Sequence, residues 1–222
     1  MSKLKVFGIV FGDKQTEFEP YFNESKEKAW RFENQPMIDI VQNCIDDLDD
    51  DDYLGIVSWK FTQKTGLTKD KLLEFYRYHE IRRPQAQIMN FAPDLKLPSK
   101  WTFMSWSEEG HVGIRYLIRR CCEHCGMTYN DNPPVVVYAN QFLARKKVYK
   151  HYVESVIIPS LELLEGALWE LTNLPSGYTA GIDLVKLKAG TGLAFYNFVP
   201  FVLERMLMQY IDNYGINVVR VI

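Results

Sequence analysis

Runs of residues typical of β-strands alternate along this 222-residue chain with segments that have the apolar periodicity of α-helices. The predicted strands are Leu4–Phe11, Tyr53–Phe61, Gln87–Phe91, Val135–Tyr138 and Asn217–Ile222. The second of them, YLGIVSWKF, is apolar at most positions, which is typical of a strand that is covered on both faces. The alternation therefore predicts an α/β fold in which helices cover both faces of a sheet.

The predicted helices have apolar residues at three- and four-residue spacing. They are a segment from Pro36 to Leu48, then Thr68–His79, His111–Cys125, Arg145–Ile158, Leu161–Leu171 and Phe198–Tyr214. Pro159 is expected to break or kink the chain between two of these helices. Pro175–Gly192 is rich in glycine and proline and is predicted to be a long loop. Because no repeat or linker interrupts the pattern, we predict a single domain over residues 1–222.

The amino-acid composition argues against several classes of protein. A chain with 47% hydrophobic and 24% charged residues does not have the composition of a disordered protein. The net charge of −2 argues against a dedicated nucleic-acid-binding protein, which is normally basic. No segment has the roughly 18 apolar residues that span a membrane, and a cytoplasmic location is expected. The aromatic share of 14% is high, and aromatic faces stack on bases and sugars.

Three cysteines and a histidine, in the segment 121–125, have the residue types of a zinc site. A closed zinc site usually takes its four ligands from two separated pairs, whereas these cysteines fall on the apolar stripe of one predicted helix. They are therefore interpreted as core thiols. Gly190-Thr191-Gly192 lacks the spacing of a phosphate-binding loop and is interpreted as a turn.

An acidic run, DDLDDDD, covers residues 46–52 and contains Asp-x-Asp triplets. Asp50 and Asp52 are candidate ligands for Mg²⁺ or Mn²⁺ bound against a diphosphate. The alternative is a solvated acidic turn between a helix and a strand. A functional pair usually follows a buried strand, whereas this run precedes one, and the metal requirement stays open.

Two positions are candidates for acid–base chemistry. His111 begins a predicted helix, whose N-terminus lowers the pKa of an imidazole and favours its neutral form; a solvent-facing cap is the alternative. Glu204 and Arg205 are charged residues in an otherwise apolar segment, FVPFVLERMLMQYI. Burying such a pair costs free energy unless the pair has a structural or catalytic task. A glutamate in this setting can have a raised pKa suited to a general base, and a structural ion pair is the alternative.

Several segments, taken in order, carry a family likeness over most of the chain. They are YLGIVSWKF at 53–61 followed by Lys64-Thr65-Gly66, GHVG at 110–113, YANQFLARK at 138–146 and FVLERML at 201–207. The ordered set resembles small nucleotide-sugar glycosyltransferases of the GT-A type, which occur in capsular-polysaccharide and lipopolysaccharide clusters and in some large viruses. The resemblance implies a mixed, mostly parallel sheet that binds a nucleoside diphosphate sugar, such as a UDP-sugar, at the carboxyl ends of its strands.

The resemblance also implies roles for individual residues. Four residues at the end of the first strand would bind the nucleotide: Val10, Phe11, Gly12 and Asp13. Ser58, Lys60 and Lys64 would face the diphosphate, where cations offset the charge of the leaving group. The sugar or acceptor pocket would contain Trp59, Asn140, Phe142 and Arg205. His111 and Glu204 would do the acid–base work. GT-A enzymes commonly carry Asp-x-Asp after a buried strand, so either the acidic run is displaced here or Lys60 and Lys64 replace the metal.

The predicted function is the transfer of a sugar from a nucleoside diphosphate sugar to a hydroxyl acceptor, with inversion or retention left open. The acceptor is a glycan, a lipid-linked sugar or a hydroxylated base in viral DNA. Two predicted helices carry basic faces, one with Arg115, Arg119 and Arg120 and the other with Arg145, Lys146, Lys147 and Lys150. These faces favour the DNA acceptor, whereas the net charge of −2 disfavours it. The alternatives are a non-catalytic carbohydrate- or nucleotide-binding module and a structural α/β protein of an assembly.

Overall fold

Six strands form one mixed sheet at the centre of the molecule. The computed structural model describes residues 2–11, 14–22, 29–91, 101–136, 141–178 and 183–221. The strands are β1 (Leu4–Val10), β2 (Glu19–Phe22), β3 (Tyr53–Ser58), β4 (Ile88–Asn90), β5 (Phe142–Arg145) and β6 (Val218–Arg220). Their order across the sheet is β2-β1-β3-β5-β4-β6. Among these strands, β5 alone runs antiparallel to its neighbours, which confirms a mixed, mostly parallel sheet.

The helices pack on both faces of this sheet. The α-helices of the described residues are α1 (Asn34–Asn43), α2 (Phe61–Thr65), α3 (Lys69–Arg82), α4 (Phe103–Gly110), α5 (Ile114–His124), α6 (Lys146–Tyr152), α7 (Ile158–Glu165), α8 (Trp169–Thr172), α9 (Leu184–Thr191) and α10 (Val199–Tyr214). A 3-10 helix covers Ala29–Arg31. No helix among the described residues combines the length and the apolar composition that crossing a membrane requires.

Two hydrophobic cores follow from the alternation of side chains along the strands. Leu54 and Ile56 of β3 join the larger core, which contains the apolar faces of α1, α5, α6, α7 and α10. Tyr53 and Val57, on the other face of β3, pack with residues of α2 and α3 in the smaller core. The chain is therefore a single α/β domain with helices on both faces of the sheet, as the strand–helix alternation predicts.

The direction of the strands defines two edges of the sheet. β1, β3 and β4 end at one edge, at Val10, Ser58 and Asn90, and β5 begins there at Phe142. We call this the carboxyl edge. Ligands in open α/β sheets bind outside the carboxyl ends of the strands, so the side chains that follow these strands determine what the sheet can bind.

Several predicted boundaries are wrong, and each error has a local cause. The predicted strand Val135–Tyr138 is not a strand at its first two residues; the carbonyl of Val136 instead accepts a hydrogen bond from the side chain of Asn90. Residues 137–140 lie outside the described part of the chain. The predicted strand Tyr53–Phe61 corresponds to β3, which ends at Ser58. Phe61 instead begins α2, and the centre of its ring lies 6.0 Å from that of Phe91. α9 occupies the second half of the predicted loop.

Pro159 does not break the helical run that contains it. A π-helix, Val153–Ile157, joins α6 to α7, and Pro159 lies in the first turn of α7. A proline cannot donate a backbone hydrogen bond and clashes with the carbonyl four residues earlier. The widened π turn lies where that conflict would occur, so the chain continues as one helical run with a local bulge.

The cysteines of segment 121–125 lie in or against the larger hydrophobic core, which agrees with their interpretation as core thiols. Cys121 and Cys122 are buried in the larger core, and Cys125 packs partly buried against it. Burial raises the pKa of the Cys122 thiol to about 12. These side chains act as small apolar groups that fill the contact between α5 and its neighbours.

Candidate functional site

Positively charged side chains gather where β1 and β3 end. Trp59 follows β3 directly, and its backbone N–H donates to the carbonyl of Ile9 at 3.1 Å. The Nζ of Lys60 lies 4.9 Å from the centre of the Trp59 ring, and the Nζ of Lys14 lies 5.3 Å from it. Two ammonium groups thus share one partly exposed indole at the carboxyl edge.

The turn after β3 fixes the position of these lysines. Ser58 is buried, and its hydroxyl accepts the backbone N–H of Lys60 at 3.2 Å. α2 follows at once and carries Lys64 in its last turn, with Gly66 ending the helix in the left-handed region at φ 72°. Ser58 therefore shapes the turn, while Lys60 and Lys64 remain exposed to solvent.

Glu33 is one of the site residues that the sequence pattern does not reveal. It lies between the 3-10 helix and α1, directly after Phe32, whose φ of 50° is unusual for a residue with a side chain. Burial raises the pKa of Glu33, and the nearby charge of Glu204 raises it further, whereas Lys64 and Lys60 oppose the shift. Lys60, Lys64 and Glu204 therefore all lie close enough to Glu33 to affect its pKa.

The Glu204–Arg205 pair lies in the first half of α10. The Arg205 side chain is 8% exposed, and its Nη1 lies 3.2 Å from the Oε2 of Glu204, whose side chain is 25% exposed. Arg205 also donates from Nε to the hydroxyl of Ser107 at 3.0 Å and from Nη1 to the carbonyl of Phe201 at 2.8 Å. Arg205 thus ties α10 to α4 from inside the protein, while Glu204 reaches toward solvent.

His111 lies in the connection between α4 and α5 rather than at the start of a helix, because Gly113 caps α5. The imidazole is buried, and its Nδ1 lies 2.9 Å from the carbonyl oxygen of Ser176. Burial lowers the pKa of His111, and Arg205 lowers it further, against the opposing effects of the Ser176 carbonyl and Glu204. The neutral form is favoured as predicted, but by burial and not by a helix N-terminus.

The hydrogen bond of His111 also determines its tautomer. A carbonyl oxygen can only accept, so Nδ1 carries the proton in the neutral ring and Nε2 is left as an acceptor. The ring is held in place by Phe201, whose ring centre lies 4.1 Å away in a stacked arrangement. His111 can therefore accept a proton at Nε2 without reorienting.

Five rings, one of them the His111 imidazole, pack on one another. We call them the ring cluster: Phe32, His111, Tyr178, Tyr196 and Phe201. Phe32 stacks on Tyr196 at 4.9 Å, which joins the Glu33 segment to the loop before α10. The five rings come from five places in the chain: the segment after the 3-10 helix, the α4–α5 connection, the segment after α8, the loop before α10, and α10 itself. No single stretch of sequence contains it.

Some predicted pocket residues lie in the protein interior instead. Phe142 is 1% exposed and stacks on Tyr149 at 5.1 Å in the larger core, so its ring is not presented to a ligand. Val10 is also buried, because it ends a strand that has neighbours on both sides. Phe11 packs partly buried against the larger core. Gly12, Asp13 and Asn140 lie outside the described residues.

The acidic run lies at the opposite edge of the sheet from Ser58 and Lys60. The carboxylate of Asp52 accepts the backbone N–H of Lys3 at 2.6 Å and that of Asp49 at 2.8 Å. Both oxygens are thus used to fix the turn before β3. Asp50 is exposed in the same turn. This arrangement does not fit a metal bound against a diphosphate at the carboxyl edge, so the prediction that Asp50 and Asp52 hold one there is corrected.

Metal ligands are also not grouped elsewhere in the described part of the chain. Among residues 2–11, 14–22, 29–91, 101–136, 141–178 and 183–221, no group of three or more His, Cys, Asp or Glu side chains is arranged to hold a metal ion. Two buried amides, Asn90 and Gln141, add polar groups at the carboxyl edge; the Oε1 of Gln141 has no hydrogen-bond partner within the described part of the chain.

Comparison of the chain with protein-family models, with curated proteins and with solved structures gives no match.

Proposed function

We propose that this protein is a glycosyltransferase that moves a sugar from a nucleoside diphosphate sugar to a hydroxyl acceptor. The observation that carries the proposal is that lysine and carboxyl side chains lie near one another at the carboxyl edge. Lys60 and Lys64, from the turn after β3 and from α2, lie close enough to the half-buried Glu33 to affect its pKa, as does Glu204 from α10. Glu204 in turn acts on His111. The candidate cations for a leaving diphosphate and one candidate proton acceptor thus influence the same carboxyl, Glu33.

The proposed reaction uses these groups in one displacement. The bond between the anomeric carbon of the donor sugar and the diphosphate oxygen breaks, and its electron pair leaves with the nucleoside diphosphate. Lys60 and Lys64 stabilise the negative charge that develops there. The acceptor oxygen bonds to the anomeric carbon and loses its proton to Glu204 or to Nε2 of His111. The protonated group then releases the proton to solvent.

Burial of His111 is consistent with this assignment. Because its pKa is lowered, the imidazole is neutral and able to accept a proton at neutral pH. Protonation on acidification removes that capacity. If His111 is the base, kcat/KM therefore falls as the pH drops through the lowered pKa of His111, and substitution of His111 abolishes this limb of the profile.

The test is a panel of nucleotide sugars, each with and without Mg²⁺ or Mn²⁺. Thermal shift reports binding, because a ligand that binds the folded state raises the melting temperature. Release of the nucleoside diphosphate reports turnover, measured for the wild type, Glu204→Gln and His111→Ala. Glu109→Gln is the control, since Glu109 is an exposed carboxyl on α4.

The proposal predicts that at least one nucleotide sugar is turned over and that Glu204→Gln or His111→Ala lowers kcat by about 100-fold or more, as loss of an acid–base group does. Glu109→Gln should leave the rate unchanged. Turnover that survives both substitutions overturns the catalytic assignment. Binding of a nucleotide sugar without turnover by the wild type supports the binding-module alternative instead.

A further inference from the structure

The ring cluster has an open face, and that face belongs to Tyr178. The Tyr178 ring packs on Phe201 at 5.4 Å, on Tyr196 at 5.5 Å and beside His111 at 6.3 Å. Even so, 43% of the residue remains exposed. A tyrosine that is already fixed by neighbouring rings loses little side-chain freedom when a ligand binds to its remaining surface. Tyr178 is therefore a preorganised aromatic surface.

The hydroxyl groups of this surface are available to a ligand. Neither the Tyr178 nor the Tyr196 hydroxyl has a hydrogen-bond partner among the described residues. A phenolic hydroxyl both donates and accepts, so each can bond to a hydroxyl group of a ligand. The pair thus offers ring faces and polar ends together, which suits a ligand with apolar and hydroxylated faces.

The charges around the ring cluster disfavour a polyanion. Glu33 lies near enough to raise the pKa of Tyr196, although burial of the ring is the larger cause. Glu204 lies near His111, and the buried Arg205 is paired with Glu204. Binding DNA requires cations for its phosphates, whereas the Arg205 guanidinium beside these rings is buried and already paired with Glu204. An uncharged, hydroxyl-rich ligand fits both the rings and the charges.

We propose that Tyr178 and Tyr196 form a carbohydrate-binding surface that holds the acceptor sugar beside Glu204. The C–H face of a sugar ring packs against the electron-rich face of Tyr178, and the sugar hydroxyls bond to the two phenols and to nearby carboxylate oxygens. The role as acceptor site rests on the proposed glycosyl transfer; the carbohydrate specificity rests on the ring cluster itself. The acceptor is accordingly a glycan rather than a base in DNA.

The test measures binding of neutral sugars to four proteins. The probes are methyl glucoside, methyl galactoside, methyl mannoside, cellobiose and maltose. Saturation-transfer NMR detects their binding. A single-stranded DNA oligonucleotide that contains hydroxymethylcytosine is the competing ligand. The proteins are the wild type, Tyr178→Ala, Tyr178→Phe and the control Tyr116→Ala. Tyr116 is an exposed tyrosine on α5, outside the ring cluster. Tyr178→Leu, which keeps apolar bulk, replaces Tyr178→Ala if the latter does not fold.

We expect at least one sugar to bind the wild type and Tyr178→Ala to weaken that binding by about tenfold or more, the size typical of losing an aromatic stacking partner. Tyr178→Phe should weaken it less, because the ring face remains, and Tyr116→Ala should match the wild type. Equal affinity of Tyr178→Ala and the wild type overturns the proposal. So does binding of the DNA alone, or of none of the sugars.

A second readout separates this proposal from the proposed function. Hydrolysis of the nucleotide sugar by water needs the donor site but no acceptor site. If Tyr178→Ala retains hydrolysis and loses transfer to the sugar that binds, the acceptor role is supported. If no nucleotide sugar reacts but Tyr178→Ala still abolishes sugar binding, the glycosyltransferase proposal fails and the carbohydrate surface stands. Transfer that is unchanged in Tyr178→Ala overturns the acceptor role while leaving the glycosyltransferase proposal intact.

Discussion

Replacing Arg205 with methionine should destabilise the protein through the group that it leaves behind. Arg205 donates hydrogen bonds to the Ser107 hydroxyl, the Phe201 carbonyl and the Glu204 carboxylate. Methionine keeps the aliphatic packing of the side chain but donates none of these bonds. Glu204 is a quarter exposed and can bond to water, whereas Ser107 is buried at 1% exposure and cannot. The cost is therefore concentrated at Ser107.

The magnitude follows from these three contacts. Leaving a buried hydroxyl without a partner costs about 1–3 kcal/mol, and a lost hydrogen bond from a charged donor costs about 1.5–3 kcal/mol. Removing the buried guanidinium also relieves its desolvation, which offsets part of the loss. We expect Arg205→Met to lower the free energy of unfolding by about 2–3 kcal/mol. The double variant Ser107→Ala/Arg205→Met should lose about 1 kcal/mol less free energy of unfolding than the two single variants lose in sum. The reason is that it leaves no buried hydroxyl without a hydrogen-bond partner.

The assay is urea unfolding at neutral pH, followed by intrinsic tryptophan fluorescence, with the unfolding slope compared between variants. Arg120→Met is the matched control, because Arg120 also pairs with a glutamate, Glu123, but their side chains are 46% and 52% exposed. An exposed pair of this kind contributes about 0.5 kcal/mol or less. If Arg205→Met costs no more than Arg120→Met, or if Ser107→Ala and Arg205→Met are additive, Arg205 does not tie α10 to α4 as described.

Two further predictions concern carboxyl groups with opposite roles. Because burial raises the pKa of Glu33, its contribution to stability is full below the ordinary pKa of a carboxyl and is lost as the pH rises through the raised pKa. Glu33→Gln should therefore gain stability relative to the wild type as the pH rises in urea titrations between about pH 4 and 8; a constant difference contradicts this. Asp52→Asn should lose one of the bonds to Lys3 and Asp49 and lower the melting temperature by about 2–6 °C, whereas Asp50→Asn should shift it by about 1 °C or less. Equal shifts in these two variants count against the structural role of Asp52.

The parts of the fold that the sequence predicted well are those decided by local pattern. The cysteine stripe of α5 and the apolar stripe of α10 repeat at helical spacing, and both helices are present close to their predicted limits. β3 was predicted because its residues are apolar on both faces, and both faces of the strand are buried. In each case the neighbouring residues in the sequence are sufficient to determine the element.

The site depends on contacts between distant segments, which local pattern does not record. Glu33 lies in a polar stretch, and its burial depends on packing between its segment and α10, far along the chain. His111 was expected at a helix start, but its environment is determined by Ser176 and Phe201. Phe142 begins a short strand whose pairing with β3 and β4 places its ring in the core. Such contacts have no periodic signal in the sequence.

The central claim is that the lysines of the carboxyl edge bind the diphosphate of the donor. Isothermal titration of UDP, GDP, CDP and ADP tests it directly in the wild type, Lys60→Gln, Lys64→Gln and Lys71→Gln. Lys71 is an exposed lysine on α3, outside the site, and serves as the control. We predict that one of these nucleotides binds, that Lys60→Gln and Lys64→Gln each weaken binding by about tenfold, and that Lys71→Gln leaves it unchanged. Absence of binding by all four nucleotides, or equal affinity in all four proteins, would contradict the claim.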